Sequence, residues 1–128
     1  MADDAKKILV ADDDPGTREF YRLCLEDAGF LVETVEDTAA AVVKCLEFEP
    51  DLVMLDADMP GGGGMKAVEQ LRDILVKGVP ALFVTGMPEA VDVFACKHNI
   101  RVLKKPASTA VLLRTINLLL EKAGLEKE

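Results

Sequence analysis

Five residues of this 128-residue chain have the types and spacing to do chemistry together: Asp12, Asp13, Asp56, Thr85 and Lys105. Each stands at or just past the end of a short apolar run. Asp12 and Asp13 follow Ile8–Ala11, Asp56 follows Leu52–Leu55, Thr85 follows Pro80–Val84, and Lys105 follows Ile100–Leu103 by two positions. Runs of this length bounded by turn signals read as buried strands. The C-terminal ends of such strands are where open parallel sheets place ligand sites. Asp56 is the most informative of the five. A helix cap would explain an acid there, but eight residues lie between it and the next apolar-periodic position, Met65.

Three carboxylates brought together repel one another, so the cluster needs a cation or must hold a proton. Oxygen donors without histidine or thiolate favour Mg²⁺ over zinc or copper. Mg²⁺ keeps part of its water shell and takes phosphate oxygens, so an ion on Asp12, Asp13 and Asp56 would bring a phosphate donor to Asp56. A hydroxyl from Thr85 and an ammonium from Lys105 could then hold the oxygens of a transferred group. The chemistry suggested is phosphoryl transfer with Asp56 as nucleophile. Each residue has a structural explanation too: turn acids, a strand-ending threonine, a surface lysine beside Lys104. Asp14 is read only as a helix cap. Taken together the structural explanations fail, because four strand ends would have to carry compatible chemistry by coincidence.

Convergence requires a particular fold. After the first strand, Asp14 followed by Pro15 predicts an N-cap with proline at the first helical position. Phe20, Leu23, Cys24 and Ala28 recur at helical spacing, and Gly29 closes that helix. Phe30–Val35 reads as a second strand. Asp37 caps a helix through Ala40, Val43 and Leu46 to about Phe48, which Pro50 stops. Beyond the central strand, Met65, Val68, Leu71 and Leu75 mark a third helix ended by Gly78. Pro88 opens a fourth, through Val91 and Phe94 to about Lys97. Ser108 caps the last, whose core stripe is Leu112, Leu113, Ile116, Leu119 and Leu120. Five strand–helix repeats predict an α/β fold with a parallel sheet between helical layers. At this length the flavodoxin-like (βα)5 three-layer sandwich, strand order 2-1-3-4-5, is expected; it makes strands 1 and 3 neighbours at the switch point. The expected organisation is one domain over 1–128, with a core of about 6–122 and a charged tail, 121–128.

Composition excludes several classes. Half the residues are hydrophobic and 30% charged, and the net charge is −8. A phosphate backbone or an anionic membrane would be repelled by that surface, so no direct nucleic-acid or membrane partner is expected. No apolar run reaches the roughly 18 residues of a membrane span, and the acidic N-terminus is not a signal peptide. Cys24, Cys45 and Cys96 have no metal or disulfide spacing and read as thiols in a reducing cytoplasm. His98 alone cannot build a histidine metal site and is read as a loop residue.

The motifs in order resemble the receiver domain of bacterial two-component response regulators. The match is carried by Ile8-Leu-Val-Ala-Asp12-Asp13-Asp-Pro15, Asp51-Leu-Val-Met-Leu-Asp56-Ala-Asp-Met-Pro-Gly61, Val84-Thr85-Gly86 and Leu103-Lys104-Lys105-Pro106, over about residues 6–122. The resemblance implies that Asp56 accepts a phosphoryl group from a sensor histidine kinase or phosphotransfer protein. It implies Mg²⁺ held by Asp12, Asp13, Asp56 and the backbone carbonyl of Asp58, with Thr85 and Lys105 completing the site. It implies a cis peptide before Pro106. It also implies an output or homodimer face formed by the fourth helix, fifth strand and last helix, where Val111, Thr115 and Leu118 make a second, partly apolar stripe. The activity implied is self-catalysed phosphotransfer and autodephosphorylation, with no external substrate.

The sequence departs from the family in places. Strand 5 carries Val102 where members usually have a switch aromatic, and the only tyrosine, Tyr21, lies on the first helix and does not substitute. Asp58 and Met87 stand where members tune phosphoryl lifetime. Gly61–Gly64 is not followed by Gly-Lys-Ser/Thr, so a P-loop is not supported and a flexible loop is expected. Among enzymes, a haloacid-dehalogenase-like phosphatase would use Asp56 and Asp58 as nucleophile and acid. That pair belongs after the first strand, with a cap domain that is missing here. A flavodoxin-like FMN carrier would need a hydroxyl- and glycine-rich first loop in place of Asp12-Asp13-Asp14.

Overall fold

The computed structural model describes residues 5–56, 79–86 and 100–126. The expected third and fourth helices, Gly61–Gly64, Asp58, Met87, Cys96 and His98 lie outside the described residues. Five strands form one sheet: β1 (Lys7–Ala11), β2 (Leu31–Val35), β3 (Leu52–Asp56), β4 (Ala81–Thr85) and β5 (Ile100–Lys104). Their order is β2-β1-β3-β4-β5 and all four pairings are parallel. The described helices are α1 (Pro15–Asp27), α2 (Thr38–Phe48) and a C-terminal helix, Thr109–Glu126. The flavodoxin-like arrangement is the one expected, and strand limits agree with the sequence reading to within one residue.

The strands alternate between two cores, as a period of two requires. Ile8, Val10, Leu52, Met54, Leu82 and Val84 face Tyr21 and Leu25 of α1 and Leu112, Ile116 and Leu119 of the C-terminal helix. Leu9, Ala11, Val53, Leu55, Ala81 and Phe83 face Ala41 and Cys45 of α2. Both faces of β3 and β4 are covered, which is why Leu52–Asp56 and Ala81–Thr85 are buried throughout and read as unbroken apolar runs.

Three expected caps form. Asp14 accepts from the Thr17 amide at 2.8 Å and the Thr17 hydroxyl at 2.6 Å. Asp37 accepts from the Ala40 amide at 2.8 Å, and the Ser108 hydroxyl from the Val111 amide at 3.2 Å. Gly29, at φ 99°, takes the left-handed conformation that ends α1. The hydrogen bonds from Thr17 hold the Asp14 carboxyl below its ordinary pKa of 3.8. A lowered carboxyl pKa stabilises the fold above 3.8, and that contribution is lost as pH falls through the folded-state value. Asp14→Ala should therefore lower the melting temperature at pH 7, with the difference from the parent chain narrowing as pH falls below 3.8. An equal difference at both pH values would remove the charge from the cap's contribution.

The helix faces are where the sequence reading needs correction. Phe20 and Leu23 are 52% and 55% exposed, whereas Tyr21 and Leu25 are buried. On α2, Val43 and Leu46 are 57% and 67% exposed, whereas Thr38, Ala41 and Cys45 are buried. Each helix offers two overlapping apolar stripes, and periodicity cannot say which one meets the sheet. On α2 the small side chains turn inward. On the C-terminal helix the expected stripe is correct: Leu112, Ile116 and Leu119 are buried, and Leu113 and Leu120 pack half-buried against them. Val111 and Leu118 of the second stripe are exposed, and the Thr115 hydroxyl donates to the Val111 carbonyl at 2.8 Å.

Candidate phosphoacceptor site

The registers place the five residues on one rim. Ala11 pairs with Leu55 and Asp56 with Val84, so the ends of β1, β3 and β4 lie side by side, and Thr85 pairs with Lys104 of β5. Asp12, Asp13 and Asp56 each offer an oxygen such that all three lie within 4.8 Å of one another. Asp12 and Asp56 are buried, at 2% and 4% exposure, while Asp13 is exposed. The loop that holds Asp12 is fixed at several atoms. Its amide donates to the Val35 carbonyl at 3.1 Å, its carboxylate accepts from the Asp14 amide at 2.9 Å, and its carbonyl accepts from the Arg18 guanidinium at 2.8 Å. Arg18 is a positioning residue that sequence reasoning missed; its place one turn after the Asp14 cap was the available signal.

Lys105 reaches back into the acids. Its Nζ lies 3.1 Å from Asp56 Oδ1 and 3.8 Å from Asp12 Oδ2, its amide donates to the Thr85 carbonyl at 2.8 Å, and the Lys105–Pro106 bond is cis. Thr85 is buried at the same rim. Burial pushes the Asp12 carboxyl above its ordinary value; the Asp14 amide opposes this and the charge of Asp56 adds to it. Burial alone would lower the pKa of Lys105, but its hydrogen bond to Asp56 and the charges of Asp56 and Asp12 hold it above the ordinary value.

The donor set fits a hard divalent cation. Three carboxylates converge, two of them on one partly exposed ammonium, which leaves excess negative charge at the rim. The two described thiols lie elsewhere: Cys45 is in the α2 core and Cys24 Sγ is 3.9 Å from the Thr109 hydroxyl. Among the described residues, Asp12, Asp13 and Asp56 are the group able to hold a metal ion.

The model of the response regulator receiver domain family matches residues 8–117. The chain belongs to that family. This receiver is 34% identical over 119 residues to protein PilH of Pseudomonas aeruginosa, a match covering 89% of the chain and 97% of PilH. It is 36% identical over 88 residues to the DNA-binding response regulator MtrA of Mycolicibacterium smegmatis, covering 69% of the chain and 38% of MtrA. It is 35% identical over 89 residues to the phosphate regulon regulatory protein PhoB of Escherichia coli, covering 69% of the chain and 39% of PhoB. The chain thus spans about four-tenths of MtrA and PhoB but nearly all of PilH. Among solved structures, the chemotaxis response regulator CheY4 of Vibrio cholerae superposes with a TM-score of 0.81 at 29% identity, covering 90% of the chain and 98% of that structure. A CheY-like receiver from Methanospirillum hungatei gives 0.88 at 24% identity, covering 95% and 98%, and supports the fold. The haloacid-dehalogenase alternative finds no support in these matches.

The raised pKa of Asp12 means that its ionised form opposes folding when no metal is bound. That penalty is present above the folded-state value and is relieved as pH falls through it. Asp12→Asn should therefore raise the melting temperature at pH 7 in chelator, while weakening Mg²⁺ binding at least about tenfold, or roughly 1.4 kcal/mol. A variant that melts lower in chelator would show that the Asp12 charge stabilises the metal-free receiver.

Proposed function

We propose that this receiver takes a phosphoryl group onto Asp56 from the phosphohistidine of a sensor kinase or phosphotransfer protein, and that Mg²⁺ bound by Asp12, Asp13 and Asp56 is required. The single observation that carries this reading is the meeting of three carboxylates and one lysine at the C-terminal rim of the sheet, within 4.8 Å for the acids and 3.1 Å for Lys105 to Asp56. A carboxylate oxygen of Asp56 forms the new bond to phosphorus. The bond between phosphorus and the imidazole nitrogen breaks, and its electron pair leaves with the imidazole. Asp12, Asp13 and Asp56 would hold the Mg²⁺, which would supply positive charge against the acids and the phosphoryl oxygens. The transferred group brings charge onto its oxygens, and the Lys105 ammonium and Thr85 hydroxyl are the groups at hand to receive it. Lys105 must exchange its contact with Asp56 Oδ1 for a phosphoryl oxygen, so its position changes with the state of Asp56. The Asp58 carbonyl is retained as a further metal ligand of this proposal; that residue lies outside the described ones.

Phosphorylation adds about one negative charge and strong acceptor oxygens. The change is read by an output domain, a partner or a second copy through the face containing Val111, Thr115 and Leu118. The kinase docks beside α1, where Phe20 is exposed and lines the same cavity as Lys105 and where Leu23 is exposed further along the helix. A cytoplasmic location accords with a kinase partner, and among the described residues no helix is long and apolar enough to cross a membrane. Incubation with acetyl phosphate and Mg²⁺ should add one phosphoryl mass, which disappears when chelator is added first. Modification that proceeds equally in chelator would overturn the metal-dependent part of the proposal.

A further inference from the structure

Two faces of the sheet meet at the phosphoacceptor rim, and they are not equivalent in this chain. Val102, the strand position where an aromatic was expected, packs with the α2-side core and has no ring to swing. Tyr21 packs with the opposite core, beneath α1. It is 6% exposed. It also lines a cavity of about 360 Å³ together with Lys105, Phe20, Pro106 and Ala107. Burial holds the Tyr21 hydroxyl above its ordinary pKa, with the charges of Lys105, Asp12 and Asp56 as smaller influences; the geometric link between Tyr21 and Lys105 is the cavity that both line. The adjacent Phe20 ring is tilted 57° to it at 5.8 Å between centroids. A buried aromatic with a polar tip beside open space has room to change its orientation when the neighbouring cation moves.

We propose that Tyr21 is a positioning residue for Lys105, and that it carries the movement of that ammonium into α1. The aromatic sensitive to the state of Asp56 then lies on the α1 face of the sheet, not on β5. This rests on the reading that Asp56 is the phosphoacceptor. Lys105 is bound to Asp56 and Asp12 in the present state. A phosphoryl group draws it outward, the phenol follows or loses its neighbour, and the Phe20 side of α1 repacks. The surface that meets the kinase before transfer is thereby altered after it.

The chain holds a single tyrosine and no tryptophan, so tyrosine emission reports Tyr21 alone. Beryllofluoride with Mg²⁺, which mimics a phosphoryl group on a carboxylate, should change that emission in the intact chain. Fluorine NMR on the same sample establishes that the mimic is bound. Tyr21→Phe keeps the ring and should preserve the melting temperature and Mg²⁺ affinity, yet slow phosphorylation by acetyl phosphate by about two- to tenfold, the scale of losing one polar group beside the lysine. A purely packing role would leave that rate unchanged. Constant emission with the mimic bound, or a Tyr21→Phe rate equal to the parent, overturns the proposal and leaves Asp56 as acceptor. Failure of the mimic to bind overturns the phosphoacceptor reading and this inference together.

Discussion

Asp56→Asn is expected to abolish phosphorylation by acetyl phosphate, a loss of at least about a thousandfold, because the amide has no nucleophilic carboxylate oxygen to form an acyl phosphate. The substitution is nearly isosteric at a position only 4% exposed, so packing is kept. It also removes one of the charges that crowd the rim within 4.8 Å, so the fold should survive it in chelator. Intact-mass measurement after incubation with acetyl phosphate and Mg²⁺ reads the first effect, and a melting curve checks the second. Retention of the phosphoryl mass by the variant would place the acceptor on another residue and end the proposal for Asp56.

Lys105→Ala should separate two roles of the lysine. Asp56 and Asp12 are buried, and Lys105 lies 3.1 and 3.8 Å from their oxygens. Removing a cation from buried partners costs about 3–5 kcal/mol when all groups are buried. The Lys105 side chain is 31% exposed, and solvent screening reduces the figure to roughly 1–3 kcal/mol. In chelator the variant should melt several degrees lower. Saturating Mg²⁺ should restore most of the loss, because a divalent ion supplies the missing positive charge. For the same reason Lys105 competes with the metal, and the variant should bind Mg²⁺ about tenfold more tightly, near 1.4 kcal/mol. Phosphorylation should nonetheless slow by about 10²–10³-fold, since a preorganised donor to the transferred group is gone. Calorimetry in chelator, a Mg²⁺ titration and single-turnover labelling give the three readouts. Unchanged melting in chelator with weaker Mg²⁺ binding would show that Lys105 does not stand in for the metal.

Much of this site was legible because each of its residues follows a strand. A strand buried on both faces must be a continuous apolar run, so Leu52–Leu55 and Ala81–Val84 announce themselves, and a polar residue ending such a run is conspicuous. The caps at Asp14, Asp37 and Ser108 were legible for a local reason, since a cap is an interaction with the next turn of the same segment. The helix faces were harder. Phe20 and Leu23 have the size and spacing of core residues, yet Tyr21 and Leu25 face the sheet. Val43 and Leu46 lose the inner face of α2 to Ala41 and Cys45, with Val42 and Phe48 packed beside them. The nearness of Tyr21 to Lys105 was not legible either, because 84 positions of chain separate them and only packing of α1 against the sheet brings them to one cavity.

The sequence by itself determined the strands and the described helices and singled out Asp12, Asp13, Asp56, Thr85 and Lys105 as a set, from hydrophobic period and local turn chemistry, while right-handed crossover and chain length narrowed the strand order to the one observed. The tertiary structure alone decided how near the acids and Lys105 come, which apolar stripe each helix buries, and that the lone tyrosine stands beside the lysine. Those outcomes depend on how helices rotate and settle on a twisted sheet. That is a matter of volumes and contacts between distant segments, and the order of residues within one segment does not contain it.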